Sequence, residues 1–108
     1  MPRIKDGFKG ERAIVLPAFL IEELKQDPLG SELYITDIGY YPHAYFHYRK
    51  RDTEEVTEFI LIYCMEGEGW FGLDKHQYAV TANQFFILPK HQAHAYGSNE
   101  RNPWTIYW

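Results

Sequence analysis

Between Glu58 and Tyr96 the chain repeats one short cadence, an apolar or aromatic run followed by a polar turn. The runs are 58–65 (EFILIYCM), 69–73 (GWFGL), 77–81 (QYAVT), 84–89 (QFFILP) and 94–96 (HAY). The joints are Glu66-Gly67-Glu68, Asp74-Lys75-His76, Ala82-Asn83 and Lys90-His91-Gln92. Short β-branched and aromatic runs at this spacing predict antiparallel strands closing into a sandwich or barrel. Residues 104–108 (WTIYW) continue the pattern. A small barrel offers its mouth and interior as a small-molecule site.

A chain of 108 residues holds one domain with one core. Its net charge of −4 repels phosphate backbones, so the domain itself is a poor nucleic-acid binder. One cysteine excludes an intrachain disulfide, and Cys64 lies in an apolar run as a buried thiol would. No segment reads as a signal peptide or a membrane span, so a soluble cytoplasmic protein is expected. The aromatic share of 18% suits either a packed barrel core or a site for sugars and ring-bearing ligands.

Residues 1–12 are polar, carry Gly7 and Gly10, and read as a mobile arm. Residues 13–16 fit a short strand or an extended lead-in. Pro17 to Asp27 predicts a short helix, with Pro17 at its first position and Leu20 and Leu24 one turn apart. Asp27 precedes Pro28, which ends it. Leu33 to Tyr41 is the next strand, and Gly39 within it marks a bulge or a close backbone approach. The chain thus divides into an arm and helix over 1–32 and a barrel over 33–108. His43 to Thr57, rich in charge, reads as an exposed loop or hairpin tip. In 59–65 both parities are apolar, which predicts cover on both faces. The chain stops on Trp108 in mid-strand by its pattern, as a piece of something longer would. A strand cut there would expose unpaired backbone groups and favour a homodimer or strand swap.

The chemistry-bearing residues are few. His94 and Tyr96 share parity on one strand, as do Trp104 and Trp108 on another, and each pair fits either a ligand or a core. Arg49 and Arg51 can reach a polar ligand with forked hydrogen bonds, or can lie on a solvated tip. His43 and His47 are four apart and, with His94, make a conceivable set of three imidazole metal ligands. No nucleophile with a base, no phosphate loop and no basic recognition helix is present, so no catalytic residue and no cofactor are assigned.

Residues 66–69 (EGEG) close the first core strand as cupins do, and 81–89 (TANQFFILP) with His94 resemble the second cupin motif. Within cupins, 37–40 (DIGY), 86–96 (FILPKHQAHAY) and 103–108 (PWTIYW) resemble the N-terminal effector-binding domain of AraC-type transcriptional regulators. The resemblance implies a mainly β, cupin-like antiparallel barrel or jelly roll with one short N-terminal helix, incomplete at the C-terminus. It implies a ligand-sensing, non-enzymatic domain that takes a small effector, most often a sugar or related metabolite. DNA is contacted only through a helix-turn-helix half outside this chain. The arm over 1–16 or the Pro17 helix would fold over the ligand, with His94, Tyr96, Trp104, Trp108, Arg49 and Arg51 as contacts. The chain departs from metal-holding cupins: Ile60 stands where the glutamate belongs, and Val56 and Thr57 near the histidine positions. A metal-dependent dioxygenase or isomerase is therefore the alternative. His91 and Asn83 replace turn glycines and should adopt positive φ.

Overall fold

A computed structural model describes residues 3–108, so Met1 and Pro2, the start of the expected arm, lie outside it. The elements in chain order are β1 (Arg12–Val15), α1 (Ala18–Gln26), β2 (Asp37–Tyr41), β3 (Tyr48–Arg51), β4 (Ile60–Glu66), β5 (Glu68–Leu73), β6 (His76–Thr81), β7 (Gln84–Leu88), β8 (His94–Ser98) and β9 (Thr105–Tyr107), with a 3₁₀ turn over Thr53–Glu55. One sheet runs β1-β2-β9-β4-β7 and the other β3-β8-β5-β6, all pairs antiparallel. The mainly β jelly roll with a single helix is the architecture that the strand cadence predicts.

The turns form where the substituted residues allow them. Asn83 and His91 adopt φ of 68° and 64°, as expected for residues standing in glycine positions. Gly39 is a close approach: a Cβ there would lie 2.0 Å from the Trp108 ring. The helix starts one residue later than Pro17, which sits extended as its N-cap. It stops at Asp27, whose backbone is extended ahead of Pro28 and whose carboxylate accepts from the Leu29 and Gly30 N–H groups. None of the helix residues is buried.

The core lies between the sheets. Ile62 and Cys64 of β4, Leu88 of β7 and Ile106 of β9 face Val80 of β6 and Tyr96 of β8, with Trp104 wholly buried among them. Phe71 of β5 stacks on Phe86 of β7 at 4.3 Å and an interplanar angle of 10°, joining one sheet to the other.

Four local expectations are corrected. Residues 43–57 are not a solvated tip: they contain β3, which pairs with β8, and bury Ala44, His47 and Val56. The β-pairing of Tyr48–Arg51 outweighs its charge: alternation turns Arg49 and Arg51 toward Tyr96 and His94 and turns Tyr48 and Lys50 the other way. The arm is tied down, with Phe8 buried against Tyr41 and His47 and with Ile4 bridging the backbone at His47. β4 is covered on one face: Ile62 and Cys64 are buried, while Phe59 and Leu61 are 63% and 49% exposed. Finally, β9 is no unpaired edge. It lies between β2 and β4, and Trp108 exchanges both backbone hydrogen bonds with Gly39, at 2.9 and 3.0 Å.

Gly69 of β5 is buried with the Trp104 ring directly above it, 2.1 Å from where a Cβ would stand. Gly69→Ala is therefore expected to lower stability by about 2 kcal/mol or more through overpacking. Urea unfolding of the variant beside the parent chain measures this as a lower midpoint at unchanged slope.

Candidate functional site

The antiparallel register of β3 and β8 sets Arg49 opposite Tyr96 and Arg51 opposite His94. Residues two apart on a strand share a face, so all four side chains project to one side of the smaller sheet. That side is the interior, since His94 and Tyr96 are 4% and 6% exposed. Arg51 Nη1 donates to Tyr96 Oη at 3.2 Å and lies 3.1 Å from His94 Nε2, which accepts because a guanidinium only donates. His94 must then carry its proton on Nδ1, which is buried without a hydrogen-bond partner.

Deeper in, Trp104 Nε1 donates to His47 Nδ1 at 3.1 Å. His47 is delivered by a compact turn after Pro42, in which His43 and Phe46 take φ of 42° and 59°. The turn is pinned by Ala44 N–H to the Trp104 carbonyl, Ser98 N–H to the His47 carbonyl, and Ser98 Oγ–H to the Ala44 carbonyl. Tyr41, Tyr96, Trp104 and Phe8 all pack around the His47 ring.

Electrostatics follow from this packing. Burial, then the cations Arg49 and Arg51, push the His47 pKa down to about 4. Burial and Arg51 do the same to His94, also to about 4, with the Gln92 backbone opposing and Arg49 adding a little. Tyr41 is pushed up to about 12, by burial first and then by Glu11 and Asp6. Both imidazoles are thus neutral at pH 7 and the phenol keeps its proton. Among the described residues neither Arg49 nor Arg51 has a carboxylate within ion-pair distance; the ion pair that forms is Lys25–Glu22 on the helix.

An open cleft of about 680 Å³ reaches this cluster at the rim of the smaller sheet, with Arg51, His94, Leu73, Asp74, Trp70 and Lys50 among the residues that line it. Trp104 lies away from the cleft in the core, and Trp108 packs on Tyr41 with its indole nitrogen buried and unpartnered. The six residues singled out in the sequence therefore separate into a cleft-lining group (Arg51, His94), two inward neighbours (Arg49, Tyr96) and two packed indoles. The roles of His47 and Tyr41 were missed. The shared parity of His47, Arg49 and Arg51 is the available signal, and the charged, loop-like composition of the segment hides it.

The three histidines weighed as metal ligands do not converge. His43 is exposed, His47 is buried and bonded to Trp104, and among the described residues no three His, Cys, Asp or Glu side chains gather as a metal set.

A family model described as an AraC-like ligand binding domain matches residues 38–108. The chain belongs to the AraC-like ligand-binding domain family. It is also 37% identical over 97 residues to the MmsAB operon regulatory protein of Pseudomonas aeruginosa, covering 86% of this chain. The chain spans 31% of that relative's length. Its fold is similar to the cupin domain of Schizosaccharomyces pombe Cnp3, with a TM-score of 0.52 at 10% identity over 66% of this chain and 50% of that one. A cupin superfamily protein of Desulfitobacterium hafniense matches 96% of this chain and 80% of its own, with a TM-score of 0.50 at 12% identity. Among the described residues no helix is long and apolar enough to cross a membrane.

The depressed imidazole pKa values of this AraC-like domain predict a specific acid lability. Between pH 6.5 and about 4 the unfolded chain binds protons at His47 and His94 that the folded chain refuses. Stability from these sites is complete above pH 6.5 and is lost as pH falls toward 4, by at most about 3 kcal/mol for each ring. Melting curves from pH 7 to 4 should show this decline, and His94→Gln should flatten it.

Proposed function

We propose that this chain is the effector-sensing domain of an AraC-type transcriptional regulator acting in the cytoplasm. In this reading a small polar metabolite of the sugar type binds at the rim cleft, and residues 33–108 form the sensing barrel. The observation that carries it is the Arg51–His94–Tyr96 cluster, a polar group set facing the interior of a ligand-binding fold where a cleft reaches it. Forked donors from Arg51 and a neutral imidazole suit hydroxyl and carboxylate oxygens. The packed core behind them excludes water.

Residues 3–32 supply the responsive part. Helix α1 buries none of its residues, and Phe19 and Leu20 remain exposed. Such a segment is free to take a second position, and a ligand that prefers one position shifts the balance by its difference in affinity. DNA is contacted by a helix-turn-helix half beyond this chain, which the acidic charge of this domain leaves free to do so. The relative's naming as an operon regulatory protein supports this division and argues for a binding role over an enzymatic one.

The sensing domain works as a homodimer. The outer face of the larger sheet supports this: Leu61, Ile87, Phe85, Tyr107 and Ile38 stand exposed on neighbouring strands. Contiguous apolar surface of this kind marks an interaction site. Light scattering across the micromolar range should give twice the chain mass, and Leu61→Glu should return it to the monomer.

Ligand-induced thermal shift on the same protein tests the sensor itself. A bound ligand stabilises by mass action, so a sugar or sugar acid should raise the melting temperature with concentration, equally with and without chelator. Stoichiometric metal in the purified protein, with chelator lowering the melting temperature, would instead make the enzyme reading correct.

A further inference from the structure

We infer that the effector bound at the rim cleft is a small organic monocarboxylate bearing hydroxyl groups, held by Arg51 with the charge of Arg49 behind it, rather than a neutral sugar. The inference rests on the sensor reading above and narrows its ligand class.

Two guanidiniums, both on the interior face of β3, stand without a carboxylate among the described residues. Both are partly buried, and arginine stays charged at any working pH. Partly buried charge without a counter-charge is costly, and proteins ordinarily pair it. Arg51 spends one nitrogen on two weak neutral acceptors, His94 Nε2 and Tyr96 Oη. Its remaining donors are available to the cleft it lines. Arg49 is close enough to His47, His94 and Tyr41 to act on all three electrostatically. Arg49 and Arg51 thus make a local positive patch in a domain whose net charge is −4, while Asp74, the carboxylate on the cleft lining, accepts from Gln92 and pairs with neither arginine.

A planar carboxylate matches a guanidinium fork in both shape and charge. A phosphate is the weaker fit for two reasons. The cluster stands on strands, and helix α1 contributes no residue to the cleft that would present backbone N–H groups to a phosphate. An acidic domain also repels a dianion more than a monoanion. The hydroxyl partner on the cleft is the neutral His94 imidazole, with the Tyr96 hydroxyl behind it on Arg51.

The test compares chemically matched probes on the intact chain by thermal shift and calorimetry. The pairs are D-gluconate against D-glucose and glycerate against glycerol, with sulfate and phosphate as inorganic anions and every arm run with and without chelator. A hydroxy-carboxylate should raise the melting temperature saturably, and its neutral partner should do so at least ten times more weakly. Arg51→Gln should weaken carboxylate binding tenfold or more, and Arg51→Lys, which keeps the charge without the fork, should only partly restore it. Arg101→Gln removes the same charge from an exposed loop outside the cleft and should bind as the parent does. Should Arg51→Gln fail to fold, Arg49→Gln and the salt dependence of binding carry the test, with affinity falling as ionic strength rises.

A neutral sugar that stabilises as well as its acid would overturn the inference while leaving the sensor reading standing. So would carboxylate binding unchanged in Arg51→Gln, sulfate or phosphate acting as strongly as the carboxylate, or no carboxylate of the panel acting at all. Binding that vanishes with chelator would overturn both readings.

Discussion

The buried hydrogen bond from the Trp104 indole to His47 organises this domain. An indole with no exposed surface needs an acceptor for its N–H, and His47 Nδ1 supplies it at 3.1 Å. Meeting that need draws the turn after Pro42 inward, against β8 and the start of β9. The same ring leaves no space above Gly69, so glycine there is a packing requirement. Once His47 is inside, strand alternation places Arg49 and Arg51 inside as well, facing Tyr96 and His94. The polar cluster at the rim thus follows from a core contact several residues away.

The outcome is a molecule with its charge turned partly inside out. Its surface is acidic on balance, while its interior holds two arginines and two imidazoles kept neutral by burial and by those cations. The larger sheet is inverted in another sense, with apolar residues on both faces and only one of them covered. Among the described residues no carboxylate lies within ion-pair distance of the two arginines, and no element covers the outer apolar face of the larger sheet.

Much of the fold was legible because strand periodicity and turn residues are local properties. The cadence from Glu58 to Tyr96, the stop at Asp27 before Pro28 and the positive φ of Asn83 and His91 all follow from residues near in sequence. The segment 43–57 was not legible, because its composition is that of a loop and its pairing with β8 is set by residues some 45 positions away. The face of β4 was ambiguous for a related reason. Apolar residues at both parities look alike in the sequence, and only the presence of a second sheet on one side tells Ile62 from Leu61. His43 and His47 show the same limit in small: four apart, yet the left-handed turn at His43 and Phe46 puts one outside and the other in the core.

The sequence by itself determined the class of the domain: β strands, their order, the turns that admit asparagine and histidine, and the family motifs at 86–96 and 103–108. Those depend on steric and hydrogen-bonding preferences that act over a few residues. Tertiary structure alone decided which side chains meet. It set Arg51 against His94 and Tyr96, sent Trp104 into the core rather than to the cleft, and gave Trp108 a central place beside Gly39. Contacts between distant strands depend on register and on which sheet covers which face, and neither quantity is written within the span of a single element.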